Sequence, residues 1–142
     1  MKRLLLLLVS ATCLWSGVPT KNELVSLSVK PNVFKLSELP ETVEVTMTNN
    51  TDETIAAGLY YWIERYKNSG WKKVSPEQPF DDITYKFSPS VFYTYDKSLF
   101  TDKIDYKVGK YRIAKYYLKS DDQETKEGFN VYAEFEIKQN NK

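Results

Sequence analysis

Phe129-Asn130-Val131-Tyr132-Ala133-Glu134-Phe135-Glu136-Ile137 alternates apolar and polar side chains over nine residues. A period of two is the repeat of a strand with one face on a core and the other in water. An amphipathic helix would place its apolar residues every three or four positions. Reading back from this stretch, the same pattern recurs along the chain. Tyr111 to Leu118 is long and well marked, Val91 to Tyr95 is shorter, and Tyr85 with Phe87 is weaker. A short piece runs from Trp71 to Val74, and Leu59, Tyr61 and Ile63 alternate before it. Val43, Val45 and Met47 alternate, as do Val25, Leu27 and Val29. Between these runs stand Pro31, Pro40, Asn49-Asn50-Thr51-Asp52, Asn68-Ser69-Gly70, Pro76 and Pro79, all turn or strand-ending residues. No segment keeps a helical period. About seven short antiparallel strands in one domain predict an all-β, two-sheet sandwich.

Composition narrows the chemistry. The chain has 142 residues, and after an export segment roughly 120 to 130 remain, one ordinary domain. Eleven Tyr, seven Phe and three Trp suit pleated surfaces. Twenty basic residues face nineteen acidic ones, so no net field draws nucleic acid or an anionic membrane. Histidine is absent, which removes Ser-His and Cys-His nucleophile pairs, His-ligated zinc and a histidine general base. Cys13 is the only cysteine, so no disulfide forms within the chain. No cofactor or metal site is expected.

Residues 1–17 read as a signal peptide. Met1-Lys2-Arg3 is basic, Leu4 to Val9 is apolar, and Ser16, Gly17 and Pro19 follow. Val9-Ser10-Ala11-Thr12-Cys13 resembles a bacterial lipobox, which would end the leader at Cys13 and lipidate it. Ser10 and Thr12 depart from that pattern, and cleavage near Ser16 or Gly17 is the alternative. A lipid on Cys13 would be the only route to a membrane. The chain is therefore expected to be exported, either lipid-anchored in the cell envelope or free as a secreted or periplasmic protein. The domain itself is placed at residues 24–138.

Val108-Gly109-Lys110-Tyr111-Arg112-Ile113 refines the fold. A Gly turn followed two residues later by Tyr fits a tyrosine corner, where the hydroxyl bonds back to upstream backbone. Ile113 then stands where an antibody domain keeps its second cysteine, with Val43 or Val45 opposite. An aliphatic contact replaces the disulfide. The expected core is Val43, Val45, Tyr61, Ile63, Ile113, Val131 and Phe135.

The chain resembles the bacterial immunoglobulin-like domains of secreted and cell-envelope proteins. The residues that carry the resemblance are Asn49, Gly58-Leu59-Tyr60-Tyr61-Trp62-Ile63-Glu64, Gly70-Trp71 and Gly109-Lys110-Tyr111-Arg112-Ile113. It spans roughly Leu24 to Ile137. The resemblance implies a non-catalytic module and names no ligand.

Alternation sorts residues by face. With Tyr61 and Ile63 inward, Tyr60, Trp62 and Glu64 point outward. With Tyr111 and Ile113 inward, Arg112, Ala114 and Tyr116 point outward. On the last strand Asn130, Tyr132, Glu134 and Glu136 point outward. The three strands share a sheet in this fold. Tyr60, Trp62, Tyr116 and Tyr132 are therefore expected to form one aromatic patch, with Tyr116 touching its neighbours on both sides. Glu64 and Arg112 lie beside it as a bidentate ion pair. Such a patch is either a binding surface or a set of stabilising cross-strand pairs. Lys110 and Lys115 read as surface charges, and Asp81-Asp82 and Asp121-Asp122 as solvated turns. The expected function is non-catalytic binding of a protein or glycan at the cell envelope. The alternative is a small secreted peptidase inhibitor acting through a loop, Ser75 to Asp82 or Asp121 to Gly128. A purely structural lipoprotein is a third reading.

Overall fold

The computed structural model describes residues 24–79, 83–119 and 128–140. The expected signal segment with Cys13, and the expected turns at Asp81-Asp82 and Asp121-Asp122, lie outside the described residues. The fold is an all-β sandwich of two sheets.

The smaller sheet holds β1 (Val25–Lys30), β3 (Thr42–Asn49) and β8 (Phe92–Ser98), in the order β1-β3-β8 and antiparallel throughout. In the larger sheet β2 (Val33–Lys35) runs parallel to β10 (Gly128–Lys138), which pairs antiparallel with β9 (Gly109–Lys119). Beyond β9 the sheet divides. β4 (Ile55–Gly58) pairs with one end of β9 and with β7 (Thr84–Phe87). β5 (Trp62–Lys67) pairs with the other end of β9 and with β6 (Gly70–Lys73).

The alternation decides which side chains meet. Val29, Val45 and Tyr95 form one inward row of the smaller sheet, and Leu27, Met47 and Tyr93 the next. From the larger sheet Ile63, Ile113 and Ala133 form a row, with Tyr111 and Phe135 stacked beside it at 5.5 Å. All seven expected core residues are buried.

The tyrosine corner is present. The Tyr111 hydroxyl donates to the Lys107 carbonyl at 2.9 Å and accepts the Lys107 N–H at 3.0 Å. Gly109 has φ +147°, a conformation that L side chains rarely adopt, so glycine is required there. Asn49 is wholly buried and ties two segments together. Its Nδ2 donates to the carbonyls of Glu53 and Phe87, and its Oδ1 accepts the Thr51 N–H and hydroxyl.

Three expectations need correction. The run Leu59 to Ile63 is not one strand. β4 ends at Gly58 and β5 begins at Trp62, so Gly58 to Tyr61 bulge opposite Lys115 and Tyr116 of β9. Lys115 is not a surface charge but is wholly buried, because it follows the inward row Tyr111, Ile113, Lys115, Tyr117. Ala114 keeps its outward register yet is also wholly buried, since Trp62 and Tyr132 flank it in the same row and shield it.

Candidate functional site

The outer face of the larger sheet is built by β6, β5, β9 and β10. Cross-strand register places Lys73, Glu64, Arg112 and Glu134 in one row, and Trp62, Ala114 and Tyr132 in the next. Trp71 stands opposite Tyr66, with the rings 5.2 Å apart and steeply inclined.

Arg112 organises this face. Its guanidinium carbon lies 3.7 Å from the centre of the Tyr132 ring and 4.3 Å from that of Trp71. A planar cation between two aromatic faces gains from each ring quadrupole and loses little rotamer freedom. Arg112 Nε donates to Glu64 Oε2, and Trp62 Nε1 donates to Glu64 Oε1 at 2.8 Å. The ion pair is therefore real but not bidentate, because the indole occupies the second carboxylate oxygen. Trp62 faces outward as expected, with Tyr60 packed 6.0 Å away. Lys73 donates to the Tyr60 hydroxyl and pairs with Glu77.

Of the six expected residues, Tyr60, Trp62, Glu64, Arg112 and Tyr132 form one connected set. Tyr116 does not join it. It is 47% exposed, and its ring lies over Gly128, where a Cβ would overlap its hydroxyl. Among the described residues it shares no ring contact with Tyr60, Trp62 or Tyr132. Trp71, which was not among the expected residues, joins the set instead through Arg112. The Gly70-Trp71 turn was visible in the sequence, but its face follows only from pairing with β5.

A second cluster lies between the sheets, at the side where β8 and the β4–β5 bulge face each other. Lys115 Nζ donates to the carbonyls of Gly58 and Tyr60 at 2.7 and 3.2 Å. Lys97 Nζ donates to the intervening Leu59 carbonyl at 3.1 Å and lies about 5 Å from the ring centres of Tyr61 and Tyr95. The bulge frees these three carbonyls from the ladder, and the two ammoniums take them up. Burial, and then the charge of Lys97, push the Lys115 amine down to about 7. Burial also lowers Lys97. Lys115 was read as a surface charge because of its charge, although it falls in step with Tyr111 and Ile113 on β9.

The loop expected to act as an inhibitor begins pinned. Ser75 is buried, its hydroxyl accepts the Ile63 N–H, and Gln78 donates to the Tyr61 carbonyl. Residues 80–82 and 120–127 lie outside the described residues.

A two-sheet sandwich with a tyrosine corner defines a β-module of the immunoglobulin kind. The chain belongs to the bacterial Ig-like domain family, whose description it matches over residues 21–136. Domains of this family are generally non-catalytic and typically extracellular or on the surface. No curated protein matches the chain. A solved β-glucosidase from Listeria innocua, in complex with gluconolactone, is 19% identical with a TM-score of 0.32. The match covers 77% of this chain and 16% of the glucosidase, so this chain spans a small part of that protein. No helix among the described residues is long and apolar enough to cross a membrane.

Proposed function

We propose that this chain is a non-catalytic exported module that binds a protein or glycan at the cell envelope through the outer face of β6-β5-β9-β10. The observation that carries this reading is the Trp71–Arg112–Tyr132 stack, which holds two aromatic rings in fixed positions on an outer sheet face. Rigid aromatic side chains and arginine are the usual energetic anchors of interfaces. Fixing them in advance lowers the ordering cost of binding. Glu64, held by Trp62 and Arg112, supports the face. The test is a pulldown from envelope extract together with a glycan array, each run with the native chain and with Tyr132→Ala. Loss of the captured protein or glycan in the variant supports the reading. Equal capture by both removes the face from the function.

A further inference from the structure

We propose that the free edge of β8 accepts an added β-strand from a partner protein, and that this strand presents a carboxylate side chain to Lys97. The edge is defined by hydrogen bonding. Asn49 N–H donates to the Val91 carbonyl and Leu99 N–H to the Glu41 carbonyl, one at each end of the β3–β8 ladder. Antiparallel bonding alternates by residue, so the odd-numbered positions of β8 bond to β3. Phe92, Thr94 and Asp96 then turn their backbone N–H and C=O away from the sheet, while the Ser98 carbonyl at the end of the strand already accepts the Tyr61 hydroxyl. Among the described residues β8 pairs with β3 alone. Phe92 is 64% exposed and Tyr93 45%, so the strand carries apolar surface that an added strand would cover.

The side-chain row of β8 that faces the interior specifies the partner's chemistry. It is Tyr93, Tyr95 and Lys97. Lys97 is only 7% exposed and spends one hydrogen bond, on the Leu59 carbonyl. Lys115 stands close enough to feel its charge. No carboxylate pairs with either ammonium among the described residues. Buried cations are normally matched by an anion. Inward side chains of a strand laid on β8 would enter beside this row, and a glutamate there would reach Lys97.

A second copy of this chain is a poor occupant. Its own β8 would bring Tyr93, Tyr95 and Lys97, adding a cation where an anion is needed. An inward lysine on an edge strand can instead serve to repel added strands. That role and the proposed one predict opposite results.

The full chain is titrated with two end-blocked peptides of alternating valine and threonine, about nine residues long. One carries a central glutamate and the other glutamine at the same place. The glutamate peptide is expected to bind at least about tenfold more tightly, with the advantage shrinking at high salt. It should also slow hydrogen exchange at the amides of Phe92, Thr94 and Asp96. Thr94→Pro removes an edge N–H while leaving the backbone bonds to β3, at the loss of the Thr46–Thr94 hydroxyl contact, and should abolish binding. Lys97→Met should bring the two peptides to equal affinity, which keeps the question open to measurement if the proline variant does not fold. Equal affinity for the native chain overturns the carboxylate preference. Protection mapped to the β5-β9-β10 face overturns the choice of edge. Failure of both peptides to bind overturns the proposal and leaves Lys97 as an edge guard.

Discussion

Tyr111 and Lys115 stand four residues apart on the inward side of β9, and each answers to backbone groups outside its own strand. The Tyr111 hydroxyl both donates to and accepts from Lys107. Tyr111→Phe should therefore destabilise the domain by about 1 kcal/mol, read from urea unfolding, since two part-buried backbone groups of Lys107 lose a partner. A neutral result would mean that water replaces the hydroxyl. Lys115 makes a prediction of the opposite kind. Its two carbonyl partners favour the ammonium, but burial and the Lys97 charge outweigh them and bring the amine down to about 7. In the unfolded chain it titrates near its ordinary 10.5. Between those values the unfolded state holds a proton that the folded state has released, so stability rises with pH from about 7 upward. Tyr61 and Tyr95 act in reverse. Burial raises each to about 12 from 10, so their stabilisation is intact below 10 and is lost as pH climbs toward 12. The melting temperature should climb from neutral pH, peak near 10 and then fall. In Lys115→Met the rising limb should flatten. A native profile without a rise above neutral pH would mean that Lys115 stays charged in the fold.

At the scale of elements, the outer face and the β4–β5 bulge show what local pattern carries and where it stops. The stack on Arg112 needs a planar cation. Arg112→Lys keeps the charge but loses the double ring contact and the Nε bond to Glu64. It should cost about 1 to 2 kcal/mol in chemical denaturation. Trp62→Ala separates binding from stabilisation. If the face binds, partner capture falls while the melting temperature changes little. If the face only stabilises the sheet, the melting temperature falls and capture persists. Period-two reading placed Tyr61, Ile63, Tyr111, Ile113, Val131 and Phe135 inward correctly, because one buried face imposes that period on every strand. It missed β2, whose three residues become a strand only by pairing with β10. It missed β4, where Ala56, Ala57 and Gly58 carry little strand propensity of their own. It also drew Leu59 to Ile63 as continuous. The interruption arises from four residues facing two on β9, and the inward rows stay in phase across it. Lys115 was misjudged for the same reason: its partners are carbonyls that this mismatch releases. Trp71 was visible as a turn residue, but its place over Arg112 depends on the β5–β6 register. Tyr116 points the expected way, yet the side-chain space left open by Gly128 draws its ring along the strand and away from the patch.

Across the whole molecule, two sheets must be held together without a covalent tie, since the only cysteine in the chain is Cys13. In antibody domains the contact between the facing strands is a disulfide. Here Val45 and Ile113 are each wholly buried in the single apolar cluster that joins the sheets, flanked by the stacked rings of Tyr111 and Phe135. Packing alone then sets the stability, and a single central truncation should remove much of it. Ile113→Ala deletes buried methyl and methylene groups and leaves a cavity that the rigid sheets close only in part. The expected loss is about 2 to 4 kcal/mol. A domain of this size commonly has about 5 to 15 kcal/mol in total. Urea unfolding of the variant should keep the native slope and move its midpoint down, because the surface exposed on unfolding hardly changes. Adding reductant should leave the midpoint of the native chain where it was. A loss under about 1 kcal/mol on truncating Ile113 would mean that the sheets can close over the space. The load between them would then be carried by the rings of Tyr111 and Phe135 rather than by the aliphatic side chains of the cluster.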